Sequence, residues 1–329
     1  LREKIMSSII LGPNFFTSTS FAVGGYMLCS ACLLISNKVA VHLLEAPSFI
    51  IFSQLIGTVL VVKAAKMLGY IQCDALEKKK AMAFLPVALI FVMTIFLNMK
   101  SLQYANVETF MIFRFSTPIC IAVADYSFLG RQLPSSQSWI SLFVLLLGSV
   151  GYGLSDSFFE VEGYAFCAIW YVMFCLDQIY LKHITNTVKM ESNWGRVYYC
   201  NLLAALPLFV PFFLNSSEIV AVKNMSFNGF LALMISVLLG AAMSYFAWMA
   251  RSLLAATSFT IVGNVCKILT IAINVMIWDK HASITGVGFL LACLGAAYFY
   301  KQAPMRDTKQ EEENTEGGGS SSNIKEEKP

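Results

Sequence analysis

The chain has 329 residues, of which 57% are hydrophobic and only 13% are charged, and its mean hydropathy is +0.66. Soluble globular domains carry about twice that fraction of charged residues, so the composition excludes a soluble protein and indicates a polytopic membrane protein. The formal net charge of +3 is too small to indicate binding to nucleic acid.

Ten apolar segments run along the chain, and each is long enough, or nearly long enough, to cross a bilayer. They predict transmembrane helices at residues 21–41, 48–69, 81–102, 107–128, 139–154, 163–182, 197–213, 227–249, 257–278 and 285–300. The expected fold class is therefore an all-α polytopic membrane protein. Residues 1–20 are expected to form an N-terminal segment, and the polar residues 302–329 a disordered tail.

The basic residues are distributed unequally between the two sets of loops. The opposite set is poor in Lys and Arg away from the helix ends, whereas the set that includes the chain termini holds the basic residues of the tail and Arg2, Lys4, Lys78, Lys79, Lys80, Arg131, Lys182, Lys189, Arg196 and Arg251. Cytoplasmic loops carry an excess of Lys and Arg. With an even number of spans, this asymmetry predicts that both termini are cytosolic.

An internal similarity relates two halves of the chain. Residues 96–110 resemble residues 246–260. Ser101-Leu102 matches Ser252-Leu253, and Leu147-Gly148 falls opposite Leu294-Gly295. Five helices separate the copies, and since five is odd the copies enter the membrane in opposite senses. This pattern predicts two inverted five-helix repeats, residues 21–154 and 163–301, as in secondary transporters.

Two cations lie near the middle of predicted spans in equivalent regions of these halves. Arg114 lies in the fourth span and Lys267 in the ninth. A cation at that depth costs about 2.5–3.5 kcal/mol and by default indicates a functional site. Two cations facing one cavity would suit a substrate with two negative charges, such as a pyrophosphate. The alternative is a structural ion pair of Arg114 with Asp177; Asp125, about 16 Å along the same helix, is too far.

The nine cysteines lie mostly inside apolar segments, where cysteine packs as a small hydrophobic residue. Their spacing is that of neither a zinc site nor a disulfide framework. The sequence also lacks a recognisable set of nucleophile, base and orienting group. We therefore expect no enzymatic activity, no metal site and no cofactor.

Two short motifs and one longer block carry a family resemblance. The motifs are Tyr198-Tyr199-Cys200-Asn201 and Gly263-Asn264-Val265-Cys266-Lys267, and the block runs from Asn106 to Asp125 and is joined by Val275–Ala282. The chain resembles nucleotide-sugar transporters of the drug/metabolite transporter superfamily, in the GDP-sugar branch. It is most similar to the GDP-fucose and GDP-galactose carriers of the plant Golgi.

The resemblance implies a set of substrate-binding residues. In the family, a Phe-Tyr-Asn-Asn signature contacts guanine, and a Gly-Ala-Leu-Asn-Lys signature contacts the sugar and phosphates. The implied residues here are Tyr26, Phe110, Arg114, Tyr199, Cys200, Asn201, Gly263, Asn264, Cys266 and Lys267. Cys200 and Cys266 stand where the family has asparagine. Because a thiol hydrogen-bonds weakly, these two changes leave the choice of base open.

The function implied by the resemblance is that of a Golgi antiporter. It would import a GDP-sugar, with GDP-fucose favoured, in exchange for lumenal GMP. The expected partners are the GDP-sugar, GMP and membrane lipid, without nucleic acid, and a homodimer is one of the oligomeric states left open. Two alternatives remain: a UDP-sugar or sugar-phosphate carrier of the same superfamily, and a non-transporting membrane scaffold with the same fold.

Overall fold

The computed structural model describes residues 19–104, 107–155, 161–277 and 284–306. These residues form eleven α-helices: α1 Thr19–Leu44, α2 Pro47–Met67, α3 Lys78–Tyr104, α4 Val107–Phe128, α5 Ser136–Ser155, α6 Val161–Thr187, α7 Asn193–Leu214, α8 Ser216–Lys223, α9 Phe227–Leu253, α10 Ala256–Ile277 and α11 Ile284–Phe299. Ten of them overlap the ten predicted apolar segments. The eighth, α8, is a short additional helix between two predicted spans.

The length and composition of the helices agree with a polytopic membrane protein. Five helical stretches in the described part are long and apolar enough to cross a membrane, namely Thr19–Leu44, Pro47–Met67, Lys78–Asn98, Ala165–Thr187 and Phe227–Leu253. Large apolar side chains such as Leu60, Leu147 and Leu238 are exposed on the outside of the bundle. Such a surface is favourable in lipid rather than in water.

Local sequence explains several helix boundaries. Pro47 begins α2, where its missing N–H removes no helical hydrogen bond. Ser226 caps α9, because its hydroxyl accepts a hydrogen bond from the Gly229 N–H over 3.1 Å. Gly69 and Gly130 follow the ends of α2 and α4 with φ values of 74° and 65°. Glycine adopts this left-handed conformation without steric cost.

The helices pack in pairs that surround a central space. Helix α9 packs along α1 and α2, α3 packs along α6 and α7, α5 packs on α11, and α4 packs on α10. Close approach depends on glycine at Gly57, where an added Cβ would overlap the Val237 side chain of α9. At Gly148 of α5, it would lie 2.6 Å from Cys293 Sγ of α11.

A buried carboxylate lies at each end of the helix bundle, Asp74 at one end and Glu218 at the other, and the two ends take these names. At the Asp74 end, the Asp74 carboxylate accepts from Lys80 Nζ over 2.8 Å and from the Glu191 N–H over 3.1 Å, which joins the α2–α3 and α6–α7 loops. At the Glu218 end, the carboxylate of that residue accepts from the Phe49 N–H over 3.0 Å. By the Lys/Arg distribution, the Asp74 end is the one predicted to face the cytosol.

Residues 301–306, which follow α11, are ordered against the Asp74 end. Gln302 Oε1 accepts from the Ala255 N–H over 2.9 Å, and Arg131 Nη1 donates to the Ala303 carbonyl over 2.7 Å. An isolated antiparallel β-bridge joins Arg131 to Met305. Ordered chain therefore extends about five residues beyond the predicted start of the tail. The rest of that tail and residues 1–18 lie outside the described residues.

Candidate functional site

A cavity of about 590 Å³ lies between the helices. Side chains from α1, α2, α3, α4, α6, α7, α9 and α10 line it. Three of the lining side chains are cationic, Arg114, Arg251 and Lys267, and one is acidic, Asp177. The excess of positive charge favours an anionic ligand.

Arg114 of α4 and Lys267 of α10 face the central part of this cavity. The Arg114 guanidinium lies 5.2 Å from the Phe174 ring centroid and 5.9 Å from that of Trp170. These cation–π contacts hold the guanidinium without neutralising it. Its Nε atom is buried and has no hydrogen-bond partner in the described residues. Both side chains line the cavity and neither forms an ion pair within the described residues, so both remain available to an anion.

No carboxylate in the described part of the chain pairs with Arg114. The ion pairs there join Lys80 to Asp74 and to Glu77. Asp125 accepts instead from the Thr257 N–H and hydroxyl, over 2.9 and 2.6 Å. Asp177 accepts from Gln178 Nε2 over 3.0 Å. The structural ion pair considered as an alternative for Arg114 is therefore absent from the described residues.

A polar cluster on α6 and α9 lines the cavity toward the Asp74 end. Arg251 Nη2 donates to Gln178 Oε1 over 3.4 Å, and the amide of Gln178 in turn donates to Asp177. The other oxygen of Asp177, Oδ1, is buried without a partner in the described residues. Arg251 also packs against Phe259, with its guanidinium carbon 4.0 Å from the ring centroid.

An uncharged polar cluster lies toward the Glu218 end. Gln54 of α2 donates to Asn37 of α1 over 2.6 Å and also contacts the Ser236 hydroxyl of α9. Ser236 Oγ donates to Asn37 Oδ1 over 2.6 Å. Asn37 and Gln54 line the cavity together with Thr94 and Asn98 of α3. The cavity thus has amide and hydroxyl groups at one end, two cations in its centre, and a carboxylate with a third cation at the other end.

Residues 18–301 match the Triose-phosphate Transporter family. The chain belongs to this family. GDP-fucose transporter 1 of Arabidopsis thaliana is 35% identical over 95% of both chains. GDP-mannose transporter GONST3 of the same plant is 33% identical over 86% of this chain and 77% of that relative. The predicted resemblance to nucleotide-sugar transporters is thereby confirmed, and the names of these relatives are those of transporters rather than enzymes.

More distant similarities extend this finding. A GDP-mannose transporter of Kluyveromyces lactis is 25% identical over 81% of this chain and 85% of its own length. A solved crystal structure superimposes with a TM-score of 0.64 at 12% identity, and the match covers 86% of this chain and 96% of that chain. At this level of identity the structure shows that the fold is shared, and no more.

Five of the ten predicted substrate residues of this transporter line the cavity, namely Tyr26, Arg114, Cys200, Asn201 and Lys267. Tyr26 packs on Phe259 with the ring centroids 5.2 Å apart. Its hydroxyl is 3.9 Å from where a Cβ would be at Gly263. The glycine of the second motif thus leaves room for the Tyr26 ring beside α10.

The other five predicted residues do not line the cavity. Phe110 packs behind its wall against Trp170, with ring centroids 4.4 Å apart. Asn264 is buried and donates to the Arg114 carbonyl over 3.5 Å, which joins α10 to α4. Gly263 and Cys266 are also buried in the packing around α10. Phe110 lies on the same helix as Arg114, and Gly263, Asn264 and Cys266 lie on the same helix as Lys267.

Tyr199 is placed differently from its predicted contact with the base. Its side chain is fully buried, and its hydroxyl donates to the Ala75 carbonyl over 2.5 Å and accepts from the Glu77 N–H over 2.7 Å. The ring also packs on Phe84, with centroids 5.5 Å apart. Tyr199 therefore fastens the α2–α3 loop to α7 and does not reach the cavity.

Six charged or amide residues that line the cavity were not among the predicted ones, namely Asn37, Gln54, Asn98, Asp177, Gln178 and Arg251. The sequence indicates Asp177 only as an alternative ion-pair partner of Arg114, and it assigns no role to Gln178. Arg251 had been assigned to a loop because the predicted span ends at Met249, whereas α9 continues to Leu253. The Asp177-Gln178 pair within the sixth span is the feature of the sequence that could have indicated a functional site there, since burying such polar groups in lipid is energetically costly.

Proposed function

We propose that this protein is a GDP-sugar antiporter of the Golgi membrane, which imports the sugar nucleotide in exchange for GMP. The observation that carries the proposal is the cavity that joins Arg114 and Lys267 with one carboxylate, in a chain whose relatives are named GDP-fucose and GDP-mannose transporters. GDP-fucose is favoured, because the relative of that name is similar over 95% of both chains. Golgi residence rests on the family resemblance.

The central cations are suited to the diphosphate. Arginine offers a planar fork that binds phosphate oxygens in pairs, and lysine acts as a compact point charge. Together they balance two negative charges in a cavity set among the helices of the bundle, where the effective dielectric constant is lower than in water. Hydrogen bonds between charged groups are strong in such surroundings.

We further propose that the ten long helices form two inverted five-helix repeats with both termini in the cytosol. The packing supports this arrangement, because α9 meets α1 and α2 as α3 meets α6 and α7. Under the repeat, α4 corresponds to α10, and these two helices pack on each other and carry the two central cations. The basic residues of the Asp74 end support a cytosolic position for it.

The exchange of GDP-sugar for GMP is favoured by the free-energy cost of leaving this cavity without a ligand. Without a ligand, the two central cations lack an anionic partner at the middle of the membrane. An empty carrier is then expected to reorient more slowly than a loaded one, which couples entry of the GDP-sugar to exit of GMP. The cavity provides no covalent chemistry for this cycle; it only binds and releases.

Counterflow into proteoliposomes tests the proposal. The purified protein is reconstituted with GMP inside, and labelled GDP-fucose, GDP-mannose, GDP-galactose or UDP-sugars are supplied outside. We expect GDP-sugars to enter, GDP-fucose fastest, and only when GMP is inside. Liposomes without protein are the control. Equal entry without internal GMP would contradict exchange.

A UDP-sugar carrier is the second candidate function. Two more distant relatives carry such names: a putative UDP-sugar transporter of Dictyostelium discoideum, 22% identical over 63% of this chain, and UDP-galactose/UDP-glucose transporter 7 of Arabidopsis thaliana, 20% identical over 88%. Cys200 at the cavity favours it also, because this thiol replaces an amide of the family signature. If only UDP-sugars enter in the same assay, the protein is a UDP-sugar carrier and the proposal that it binds guanine nucleotides is wrong. If no nucleotide enters and GMP does not raise the melting temperature, nucleotide-sugar transport is rejected, and counterflow of sugar phosphates then distinguishes a sugar-phosphate carrier from a non-transporting scaffold.

A further inference from the structure

We infer that Asp177 recognises the guanine base of the substrate by hydrogen bonding, in place of the asparagine amide that the family signature has at position 200. The inference rests on the proposed function and deepens it, since it assigns the choice of base to a residue outside both sequence motifs. Three observations carry it: the position of Asp177 on the cavity wall, the unused hydrogen-bonding capacity of its carboxylate, and the charge distribution along the cavity.

Asp177 lies beside the altered motif. It is on α6, and Leu181, one turn further along that helix, packs in the same cluster as Cys200 of α7. Asp177, Gln178 and Leu181 of α6 line the cavity with Cys200 and Asn201 of α7. A carboxylate thus lies beside Cys200 and Asn201, where the family signature has two amides and this chain keeps one.

The Asp177 carboxylate has an unused acceptor. Its side chain is almost wholly buried, with 4% of the residue exposed. Oδ2 accepts from Gln178 Nε2 over 3.0 Å, whereas Oδ1 has no partner in the described residues. The Arg251 contact with Gln178 fixes that amide with its NH₂ group toward Asp177. A buried acceptor without a partner is costly, so a donor is expected to come from the ligand.

Guanine offers the donors that this carboxylate requires. An ionised carboxylate only accepts hydrogen bonds, and the Watson–Crick edge of guanine presents N1–H and the N2 amino group side by side. Uracil presents a single N–H between two carbonyl oxygens, which a carboxylate repels. Asp177 therefore favours guanine over uracil at a wall position where a thiol favours neither.

The charge distribution favours the centre of the cavity over the Asp177 end for the diphosphate. Arg114 and Lys267 in the centre have no anionic partner in the described residues, whereas Arg251 is linked through Gln178 to the Asp177 carboxylate, which balances its charge. The sugar fits the Glu218 end, where Asn37 and Gln54 supply uncharged donors and acceptors. Along α9, Ser236 and Arg251 mark these two ends about 22 Å apart. A ligand with its diphosphate in the centre then has its base at Asp177.

Competition by three nucleotides that share ribose and phosphate tests the inference. GMP, IMP and XMP differ at position 2 of the base, where GMP has an amino group, IMP a hydrogen and XMP a carbonyl oxygen, and neutral XMP also carries a hydrogen on N3. Each is titrated against counterflow of labelled GDP-fucose by the wild-type protein and by Asp177→Asn. We expect wild type to bind GMP about tenfold or more tighter than IMP, and XMP more weakly still.

The variant is expected to reverse this ranking. In Asp177→Asn the new amide donates to the XMP carbonyl, so XMP should gain about tenfold relative to GMP, and the preference for GMP over IMP should disappear. Gain of XMP binding cannot result from misfolding. Glu218→Gln is the matched control, because Glu218 is a buried acid on α8 whose carboxylate accepts from the Phe49 N–H and does not line the cavity. Its ranking should remain that of wild type.

Several outcomes would overturn the inference. If the wild-type protein binds IMP as tightly as GMP, the inference is wrong, and this result does not depend on whether Asp177→Asn folds. Asp177→Asn that keeps the preference for GMP would also overturn it, as would a variant that loses GDP-fucose but not GMP, which would place the sugar at Asp177. If wild type carries UDP-sugars and no guanine nucleotide, the proposed function itself is wrong, and this result is distinguishable from the others.

Discussion

The carboxylate of Asp125 near the end of α4 binds the first turn of α10. It accepts from the Thr257 N–H over 2.9 Å and from the Thr257 hydroxyl over 2.6 Å. An anion at a helix N-terminus satisfies free backbone N–H groups and interacts favourably with the helix dipole. This contact joins the two helices that carry Arg114 and Lys267, so it sets the relative position of the two central cations.

Removal of this contact should destabilise the protein. Asp125→Ala is expected to lower the free energy of unfolding by about 2 kcal/mol, because a charge-assisted hydrogen bond is lost and the buried N–H of Thr257 is left unpaired. The measurement is thermal unfolding in detergent. Thr257→Val is the matched variant, and the double variant should cost less than the sum of the two. Fully additive effects would contradict direct coupling.

Replacement of the central cations should reduce transport. Lys267→Ala is expected to reduce GDP-sugar counterflow at least tenfold, and Arg114→Lys to reduce it severalfold, since lysine keeps the charge but cannot bind phosphate with a planar fork. Lys63→Ala is the control, because Lys63 is an exposed cation of α2 that lies over the Tyr198 ring and does not line the cavity. Transport near wild type by Lys267→Ala would reject the phosphate role.

Tyr199 and Tyr26 should respond differently to removal of the hydroxyl group. Tyr199→Phe leaves the Ala75 carbonyl and the Glu77 N–H without their partner, so we expect a loss of about 1–3 kcal/mol of stability. The affinity of the folded protein for GMP should not change. Tyr26→Phe removes a hydroxyl at the cavity and should weaken GMP with little effect on the melting temperature. If Tyr199→Phe binds GMP more weakly, the result would instead support the prediction from sequence that Tyr199 contacts the base.

The uncharged end of the cavity should distinguish nucleotide sugars from nucleotides. Asn37→Ala removes an acceptor of both Gln54 and Ser236 and one amide at the wall. If the sugar lies there, the apparent affinity for GDP-fucose should fall severalfold while that for GMP is unchanged, as measured by competition in counterflow. Equal losses for both ligands would place another part of the substrate at this end. Asn98→Ala, on the facing helix α3, is the companion variant.

Much of the fold could be predicted because the signal for a membrane helix is local. A run of about twenty apolar residues specifies a span wherever it occurs, and the predicted segment 107–128 coincides with α4. Arg114 and Lys267 could be identified for the same reason, since a cation within such a run is conspicuous. The end of α9 could not be predicted from the sequence, because its last turn contains Arg251 and Ser252 and is held by tertiary contacts. One of these is the hydrogen bond that Lys182 Nζ donates to the Arg251 carbonyl over 2.7 Å.

The motif on α7 illustrates what sequence alone leaves open. Adjacent residues of a helix point about 100° apart, so four consecutive motif residues cannot all face one cavity. Cys200 and Asn201 face it, whereas Tyr199 faces the α2–α3 loop. Which of the four directions leads to the cavity depends on the packing of α3 and α9 against α7, and no pattern within the motif contains that information.

The sequence by itself therefore determined the class of the protein, its apolar segments and its central cations, because hydropathy and isolated charge are properties of single segments. Only the tertiary structure decided which side chains share the cavity. It brought Asp177, Gln178 and Arg251 beside Cys200 and Asn201, and turned Tyr199 away. The physical reason is that these residues lie on different helices, and contact between helices is set by how their surfaces pack.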